Sequence, residues 1–452
     1  MTRPWHKTEF DSAISRLAWP ALGALAADPL ISLVDTAFVG RIGTPELAAL
    51  GVATAVFLVA FTLFNFLAYG TTPLIAGALG RGEREEAAAF GGQAVVVAVV
   101  FGVVGAVGLR AFAPSITDLI GGGGETAALA TQYVTIRALA LPAMLVVTAG
   151  HGVFRGFGDT RTPLWITVAF NVINLILDPL LIFGAGWGLG GAAVATVVAQ
   201  YVGAGLFLVF LVKQRDDGTL VDFTRPAWQS VKAFLSVGGA IVVRTTSLLI
   251  AFTVATAVAA RVSPVAVAGN QVIGQIWFFL GFAVDALAIA AQTLIAKVRA
   301  EVGIRSARVL TFRLLWMGFV TGVSFSLLLI ALRPWIARWF TQSPAVLLEV
   351  DATYPVLIWL MPIGAMVFVW DGIAIGFTSV RFIAGAMAVS MAIAVAVLGQ
   401  VEPRGWGLRG VWWGIAALVV ARAAAFVVWH AVGPLREQDP VPGSRGVNTR
   451  ET

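Results

Sequence analysis

The chain has 452 residues, of which 59% are hydrophobic and 12% are charged, and its formal net charge is +6. A soluble domain carries about 25% charged residues, so this composition excludes a conventional water-soluble enzyme and indicates a protein that lies in a bilayer. The sequence contains no cysteine, which excludes disulfides, thiol catalysis and thiolate metal sites.

Long apolar runs separated by short polar loops predict an all-α polytopic membrane protein with twelve transmembrane helices. The runs are continuous instead of alternating, which disfavours a transmembrane barrel. The polar N-terminus shows no small-residue cleavage site, so no signal peptide is expected. The helices are predicted near residues 14–39, 47–76, 89–112, 128–152, 162–184, 189–212, 233–260, 265–296, 310–332, 347–376, 380–400 and 409–432.

The basic residues predict the orientation of these helices. In the twelve-helix arrangement 20 of the 30 Lys and Arg residues fall on the side of the two termini and 7 on the other side. Cytoplasmic loops carry the excess of basic residues, so both termini are expected in the cytoplasm and the protein in the cell (plasma) membrane. Basic loops beside an anionic leaflet also explain the net charge without a nucleic-acid partner.

The sequence contains an internal repeat at an interval of about 220 positions. Leu74–Ala76 falls on Leu294–Ala296, and Gly156 falls on Gly376, each with the same residues in both copies. Six helices per copy give both halves the same orientation. We therefore expect two six-helix bundles related by a pseudo-two-fold axis along the membrane normal.

The repeat predicts the domain organisation. An N-terminal six-helix lobe is expected over residues 1–217 and a cytoplasmic inter-lobe linker over 218–232. The C-terminal six-helix lobe is expected over 233–452, ending in a polar cytoplasmic tail.

Duplicated helical bundles of this kind are typical of secondary transporters, which expose a midplane site to alternate sides of the membrane. The sequence lacks a GxxxxGK(S/T) phosphate-binding loop, so an ion gradient is the expected source of energy. No cofactor is predicted.

Apart from Glu349 and Asp351 near the start of the tenth span, five acidic residues fall within the predicted spans: Asp28, Asp35, Asp178, Asp285 and Asp371. An ionised carboxylate in hydrocarbon costs about 2.5 to 3.5 kcal/mol on insertion scales, so such residues are expected to face the protein interior and to be functional. A hydrogen bond that only packs two helices together is the alternative.

Two polar stripes in the first half form the predicted proton site. Asp28 and Asp35 are seven residues apart, and Asn171, Asn174 and Asp178 follow the spacing i, i+3 and i+7, so each set shares one helical face. If the stripes meet, burial and the second carboxylate both favour a bound proton. The pair would then load a proton from one side and release it to the other.

The second half lacks this pair, because Asp35 aligns with Ala255 and Asp178 with Leu398. This asymmetry argues for a single coupling site in the N-terminal half.

The roles of Asp285 and Asp371 stay open at this point. They would form a second cation site, or they would pair with Arg244 or Gln292 as structural contacts. His151 would relay protons, or it would be solvated at a helix end.

Aromatic and sulfur-containing side chains in the later spans suggest a binding surface of low specificity for flat cations. The aromatic rings would make cation–π contacts, and the flexible methionines would adjust to different shapes. Ordinary helix packing is the alternative. The candidates for a substrate cavity are Tyr133, Trp277, Asp285, Met361, Trp370 and Asp371.

Four segments resemble motifs of one transporter family, the multidrug and toxic compound extrusion (MATE) family, and its DinF-like branch in particular. They are DPLISLVDTAFVGRIGTPELAALGVA (Asp28–Ala53), FRGFGDTRTP (Phe154–Pro163), NVINLILDPLLIFG (Asn171–Gly184) and DALAIAAQTLIA (Asp285–Ala296). The resemblance covers about residues 10–432.

The resemblance implies a monomeric antiporter that exports organic cations or other amphipathic compounds against H⁺ or Na⁺. The first-span aspartate of the family matches Asp35, and the fifth-span Asn and Asp match Asn174 and Asp178, where members are thought to bind the proton. The carboxylates that Na⁺-coupled relatives carry in the second lobe are not clearly matched, because the seventh span offers only Arg244. H⁺ is therefore the favoured coupling ion.

Two other functions are alternatives to this one. A lipid-linked precursor flippase would need several basic residues in its cavity, and only Arg137, Arg244 and Arg422 lie away from the ends of the predicted spans. An intramembrane transferase using Mg²⁺ would need closely spaced acids, and the sequence has no DDxxD or HExxH arrangement, so no metal site is predicted.

Overall fold

The computed structural model describes residues 9–121, 124–213, 218–223 and 228–432. These residues form helices joined by short turns, and the described ranges contain no strand. The helices are α1 (Glu9–Gly40), α2 (Thr44–Phe64), α3 (Phe66–Gly80), α4 (Arg84–Gly121), α5 (Gly124–Arg137), α6 (Leu141–Gly156), α7 (Arg161–Pro179), α8 (Gly188–Val212), α9 (Trp228–Val262), α10 (Pro264–Glu301), α11 (Ile304–Ile336), α12 (Pro344–Gly376), α13 (Val380–Leu398) and α14 (Gly407–Val432).

The helices give the twelve predicted crossings. Eleven continuous helical segments in the described ranges are long and apolar enough to span a bilayer. The second crossing is made by α2 and α3, which are interrupted at Asn65. A short 3₁₀ turn, Ala138–Ala140, joins α5 and α6 into one crossing, the fourth. The predicted all-α, two-bundle fold is confirmed.

Several helices are longer than the sequence predicted. The third span, expected near 89–112, is α4 over Arg84–Gly121, and the ninth, expected near 310–332, begins at Ile304. Hydropathy reports only the part of a helix that is apolar, whereas the helical hydrogen bonds continue into the polar turns beyond it.

The internal repeat is visible in how the helices cross. In the first lobe Gly152 of α6 lies against α3, where a Cβ atom would come within 2.9 Å of the Ala68 carbonyl oxygen. In the second lobe Gly372 of α12 lies against α10, where a Cβ atom would clash with the Ala288 carbonyl oxygen. Both pairs are separated by 220 positions, so the two lobes use the same close crossing, which only glycine permits.

The segment between the lobes packs against the first lobe. Leu220 and Val221 are buried, and the Asp222 N–H donates to the Ala88 carbonyl of α4 at 2.8 Å. The predicted linker was expected to extend to residue 232, but α9 begins at Trp228. Residues 214–217 and 224–227, and the predicted polar tail after Val432, lie outside the described residues.

The two lobes touch at the face where α1 begins and α14 ends, which we call the terminal face; the other is the opposite face. Arg313 of α11 donates to both carboxylate oxygens of Asp11 in α1, at 2.9 and 2.8 Å. Gly80, at the end of α3, lies against the last turns of α10, where a Cβ atom would come within 2.5 Å of the Lys297 carbonyl oxygen. Contacts of α10 with both α1 and α3 extend this interface.

The Asp11–Arg313 pair predicts a shift in the equilibrium between lobe arrangements. Asp11→Asn removes a bidentate, largely buried ion pair worth about 1 kcal/mol or more, so states with the terminal face parted should gain about fivefold in population. The measurement is the distance between spin labels on Arg161→Cys and Arg305→Cys, since the chain has no cysteine of its own.

The matched control is Asp351→Asn, which breaks an exposed pair with Arg333 between two helices of the same lobe. An Asp11→Asn distance distribution identical to that of Asp351→Asn would show that the pair does not hold the lobes together.

Candidate functional site

Two carboxyl groups meet where α1 packs against α7. Asp178 is 1% exposed, and Asp35 is half-buried. The two carboxyls are neighbours, close enough for one to donate a hydrogen bond to the other once it is protonated. One oxygen of Asp178, Oδ1, also accepts a hydrogen bond of 3.3 Å from the Asn174 side-chain amide. The two stripes predicted from the sequence therefore meet in the fold.

One buried oxygen of each acid in this pair lacks a donor. Oδ1 of Asp35 and Oδ2 of Asp178 are buried and receive no hydrogen bond from any group in the described residues. Two ionised carboxylates in contact would repel each other and could not bond to each other, whereas one proton on either acid turns the contact into a hydrogen bond. The geometry suits a pair that holds a single shared proton.

The other residues of the predicted proton site lie on the same helices. Asn171 is buried on the same face of α7 as Asn174 and Asp178. Asp28 lies two turns before Asp35 on α1, but its side chain is outside the described part of the structure. After Pro179 the fifth crossing continues as a π-helical turn, Leu180–Gly184, consistent with the backbone donor that proline removes.

An arginine that the sequence did not assign to the proton site lies beside it. Arg137, at the end of α5, is close enough to interact electrostatically with both Asp35 and Asp178. Its guanidinium lies 4.6 Å from the centre of the Phe57 ring and donates to the Tyr133 hydroxyl at 3.2 Å. Its position inside a predicted span marks Arg137 as unusual, but nothing in the sequence indicates that it approaches the two acids.

The second lobe contains a buried ion-pair cluster instead of a carboxyl pair. Asp371 of α12 accepts hydrogen bonds from Arg244 of α9, at 2.5 Å from Nη2 and 3.1 Å from Nε. Arg422 of α14 donates to the same oxygen. Of the two alternatives for Asp371, the structure therefore supports pairing with Arg244. The Gln292 side chain has no hydrogen-bond partner in the described residues.

Asp285 lies at the interface between the lobes. It is close enough to interact electrostatically with Arg244 of its own lobe and with Arg155 of α6 in the first lobe. The sequence placed Arg155 in a loop, but α6 continues to Gly156 and Arg155 is buried. Tyr69 of α3 belongs to the same group of interacting side chains.

The six candidates for a substrate cavity do not line a common space. Trp277 and Met361 line a narrow cavity of about 10 Å³ inside the second lobe, together with Phe325 and Phe368. Trp370 is stacked on Phe426 of α14, with ring centres 5.8 Å apart.

The remaining candidates lie elsewhere: Tyr133 contacts Arg137 in the first lobe, Asp371 is held in its ion pairs, and Asp285 is at the lobe interface. Because one water molecule needs about 10 to 15 Å³ of such space, the cavity beside Trp277 is too small for a substrate in this conformation.

The sequence model of the MatE family matches residues 20–180 and 240–400, once in each lobe and at the interval of the repeat. The chain belongs to the MatE family. This membership confirms the resemblance found in the sequence and makes the protein a multi-pass membrane transporter of the multidrug efflux class instead of an enzyme.

Relatives and solved structures agree with this assignment. The chain is 34% identical over 427 residues to Protein DETOXIFICATION 44, chloroplastic, of Arabidopsis thaliana, which covers 91% of this chain and 80% of that protein. It is 30% identical over 292 residues to DNA damage-inducible protein F of Escherichia coli, covering 63% of each.

The fold matches solved MATE transporters. A mutant of the Vibrio cholerae MATE transporter VcmN superposes with a TM-score of 0.87 at 21% identity, covering 94% of this chain and 98% of that one. The outward-facing conformation of a multidrug resistance MATE family transporter gives 0.82 at 24% identity, covering 94% and 96%.

The ion pairs of Asp371 predict a large effect on stability. Asp371→Asn leaves two buried guanidiniums without their counter-charge, and such a loss costs about 3 to 5 kcal/mol. Thermal unfolding of the purified protein in detergent should therefore show a clearly lowered midpoint. Asp351→Asn, which removes the exposed partner of Arg333, should cost less than about 1 kcal/mol. Equal midpoints for the two variants would contradict this account of the cluster.

Proposed function

We propose that this transporter is a proton-coupled antiporter that exports organic cations or other amphipathic compounds by alternating access, with Asp35 and Asp178 as the proton site. The observation that carries the proposal is the approach of the half-buried Asp35 carboxyl to the buried Asp178 carboxyl, where one buried oxygen of each acid lacks any donor in the described residues. A group that can gain or lose one proton inside the membrane is what coupling to a proton gradient requires.

Antiport requires that the proton and the substrate exclude each other. Without its proton the pair carries two negative charges, which attract an organic cation. Protonation removes one charge and weakens that attraction, so the cation leaves on the side where the proton arrives. Asn174 holds Asp178 in place throughout, and Arg137 limits the cost of the doubly ionised state.

The coupling ion is proposed to be H⁺ instead of Na⁺. Sodium prefers a shell of several oxygen ligands, and no cluster of three or more His, Cys, Asp or Glu side chains occurs among the described residues. In the second lobe Arg244 and Arg422 both donate to Asp371, so two fixed cations already balance this carboxylate.

Alternating access is proposed as a rocking of the two lobes about their interface. The lobes meet at the terminal face through Asp11 and Arg313, so substrate collection there requires this contact to part. The excess of basic residues on this side supports a cytoplasmic terminal face. We place the protein in the cell membrane as a monomer, with a small-molecule substrate and the lipid bilayer as its partners.

The first test removes one carboxyl of the pair. Asp35→Asn should insert and bind a cationic dye such as ethidium, but gradient-driven export should fall at least tenfold, because a lone acid no longer shares its proton. The measurement is export of ethidium from proteoliposomes under an imposed pH gradient, with a Na⁺ gradient alone giving no export. Asp118→Asn, at an exposed position on α4, is the control. Undiminished export by Asp35→Asn would overturn the proton site.

The second test concerns the pH profile. In Asp178→Asn the remaining Asp35 titrates without a neighbouring carboxylate, so the pH dependence of export should change in position or flatten. Initial rates across a series of pH values, compared with Asp118→Asn, measure this. A profile that coincides with the unmodified protein would reduce Asp178 to a packing residue.

A further inference from the structure

A buried polar stripe continues from the carboxyl pair along α7 towards the terminal face. Thr167, Asn171, Asn174 and Asp178 are all less than 10% exposed, and their spacing of three or four residues places them on one side of the helix. The proposed proton site uses only the far end of this stripe. The remaining polar groups face the interior of the first lobe, where apolar side chains would pack more favourably.

The near end of the stripe meets a histidine. The Thr167 hydroxyl and Nε2 of His151, on α6, are hydrogen-bonded at 3.1 Å. The other ring nitrogen of His151, Nδ1, is buried and has no hydrogen-bond partner in the described residues. The imidazole packs against Phe207 of α8, with ring centres 5.1 Å apart. His151 is therefore held inside the lobe instead of being solvated at a helix end.

The carboxyl pair lies far from the terminal face along α7. Asp178 lies 17 residues from Arg161, where α7 begins at the terminal face, which corresponds to about 25 Å at 1.5 Å per residue. Thr167 lies 11 residues closer to the terminal face than Asp178, so the stripe covers about 16 Å of that distance. His151 lies five residues before the end of α6 at the same face.

We propose that this stripe and His151 form the route by which the proton leaves the Asp35–Asp178 pair towards the terminal face, with His151 as its last relay inside the lobe. The inference rests on the proposed proton coupling and extends it from the site to the pathway.

The chemistry of each member fits its place in the route. Asp178 gives its proton to water held by the amides of Asn171 and Asn174, which orient water without accepting the proton themselves. The Thr167 hydroxyl accepts a proton and donates its own to Nε2 of His151. The imidazolium then gives its Nδ1 proton to solvent water that enters from the terminal face, which leaves the ring neutral and protonated on Nε2. Proton exchange with that water restores the Nδ1–H tautomer before the next transfer. Arg155, one turn further along α6, disfavours a persistent charge on the ring and so favours release.

The experiment measures proton flux separately from substrate binding. Full-length protein is reconstituted in vesicles that contain a pH-sensitive dye, and ethidium is added under an imposed pH gradient. His151→Gln keeps a hydrogen-bonding side chain but cannot carry a proton, and Thr167→Val keeps the shape of threonine without its hydroxyl. Each should lower ethidium-triggered proton flux at least tenfold, in line with the contribution of a positioned acid–base group. Ethidium affinity, measured by fluorescence anisotropy without a gradient, should change less than twofold.

Matched controls exist in the same protein. His430→Gln changes a histidine of α14 that also has a buried Nδ1 without a partner in the described residues. Thr148→Val changes a buried threonine of α6 whose hydroxyl bonds to the Met144 carbonyl of its own helix at 2.9 Å. Both should keep the flux of the unmodified protein.

Two results would overturn the route. One is a flux in His151→Gln equal to that in His430→Gln, and the other is a parallel loss of ethidium affinity, which would mark His151 as a packing residue. These results differ from the one expected if the protein is not proton-coupled at all. In that case the unmodified protein itself would show no ethidium-triggered proton flux.

Discussion

The proposed transport mechanism depends on one contact, that between the carboxyl groups of Asp35 and Asp178. In the hydrocarbon region two adjacent negative charges are costly, and the described surroundings offer only the Asn174 amide and the more distant Arg137 to compensate. Binding a proton is the remaining way to lower the energy of the two adjacent charges. In the proposed mechanism the stability of the α1–α7 contact depends on proton binding, and this dependence would link a gradient to a change of shape.

The two lobes share a backbone plan but differ in their buried charges. Gly152 and Gly372 make equivalent close crossings, so duplication preserved the helix packing. In the second lobe the charge of Asp371 is balanced by Arg244 and Arg422. These ion pairs join three helices, and no member of the cluster has to gain or lose a proton to keep them together. The first lobe thus carries a carboxyl pair that is suited to changing its charge. The second lobe carries a cluster of fixed charges beside the interface between the lobes.

Much of the fold and part of the site could be predicted from the sequence. Each crossing needs about 20 apolar residues, so hydropathy located all twelve, and the cost of buried charge together with helical periodicity selected Asp35 and Asp178. The approach of Arg137 depends on a helix break at Ala138–Ala140 that no composition signals. In membrane helices that are apolar on every side, the pattern does not indicate which way an aromatic side chain points, and the separation of Trp370 from Trp277 followed only from the structure.

The most direct test of the central claim is infrared spectroscopy of the reconstituted protein during a pH titration, comparing the unmodified chain with Asp35→Asn and Asp178→Asn. A shared proton predicts one carbonyl band of a buried, protonated carboxyl at neutral pH, which disappears at alkaline pH and is altered by either substitution. A spectrum in which both acids stay ionised over the whole range, or in which neither substitution changes the band, would contradict the account.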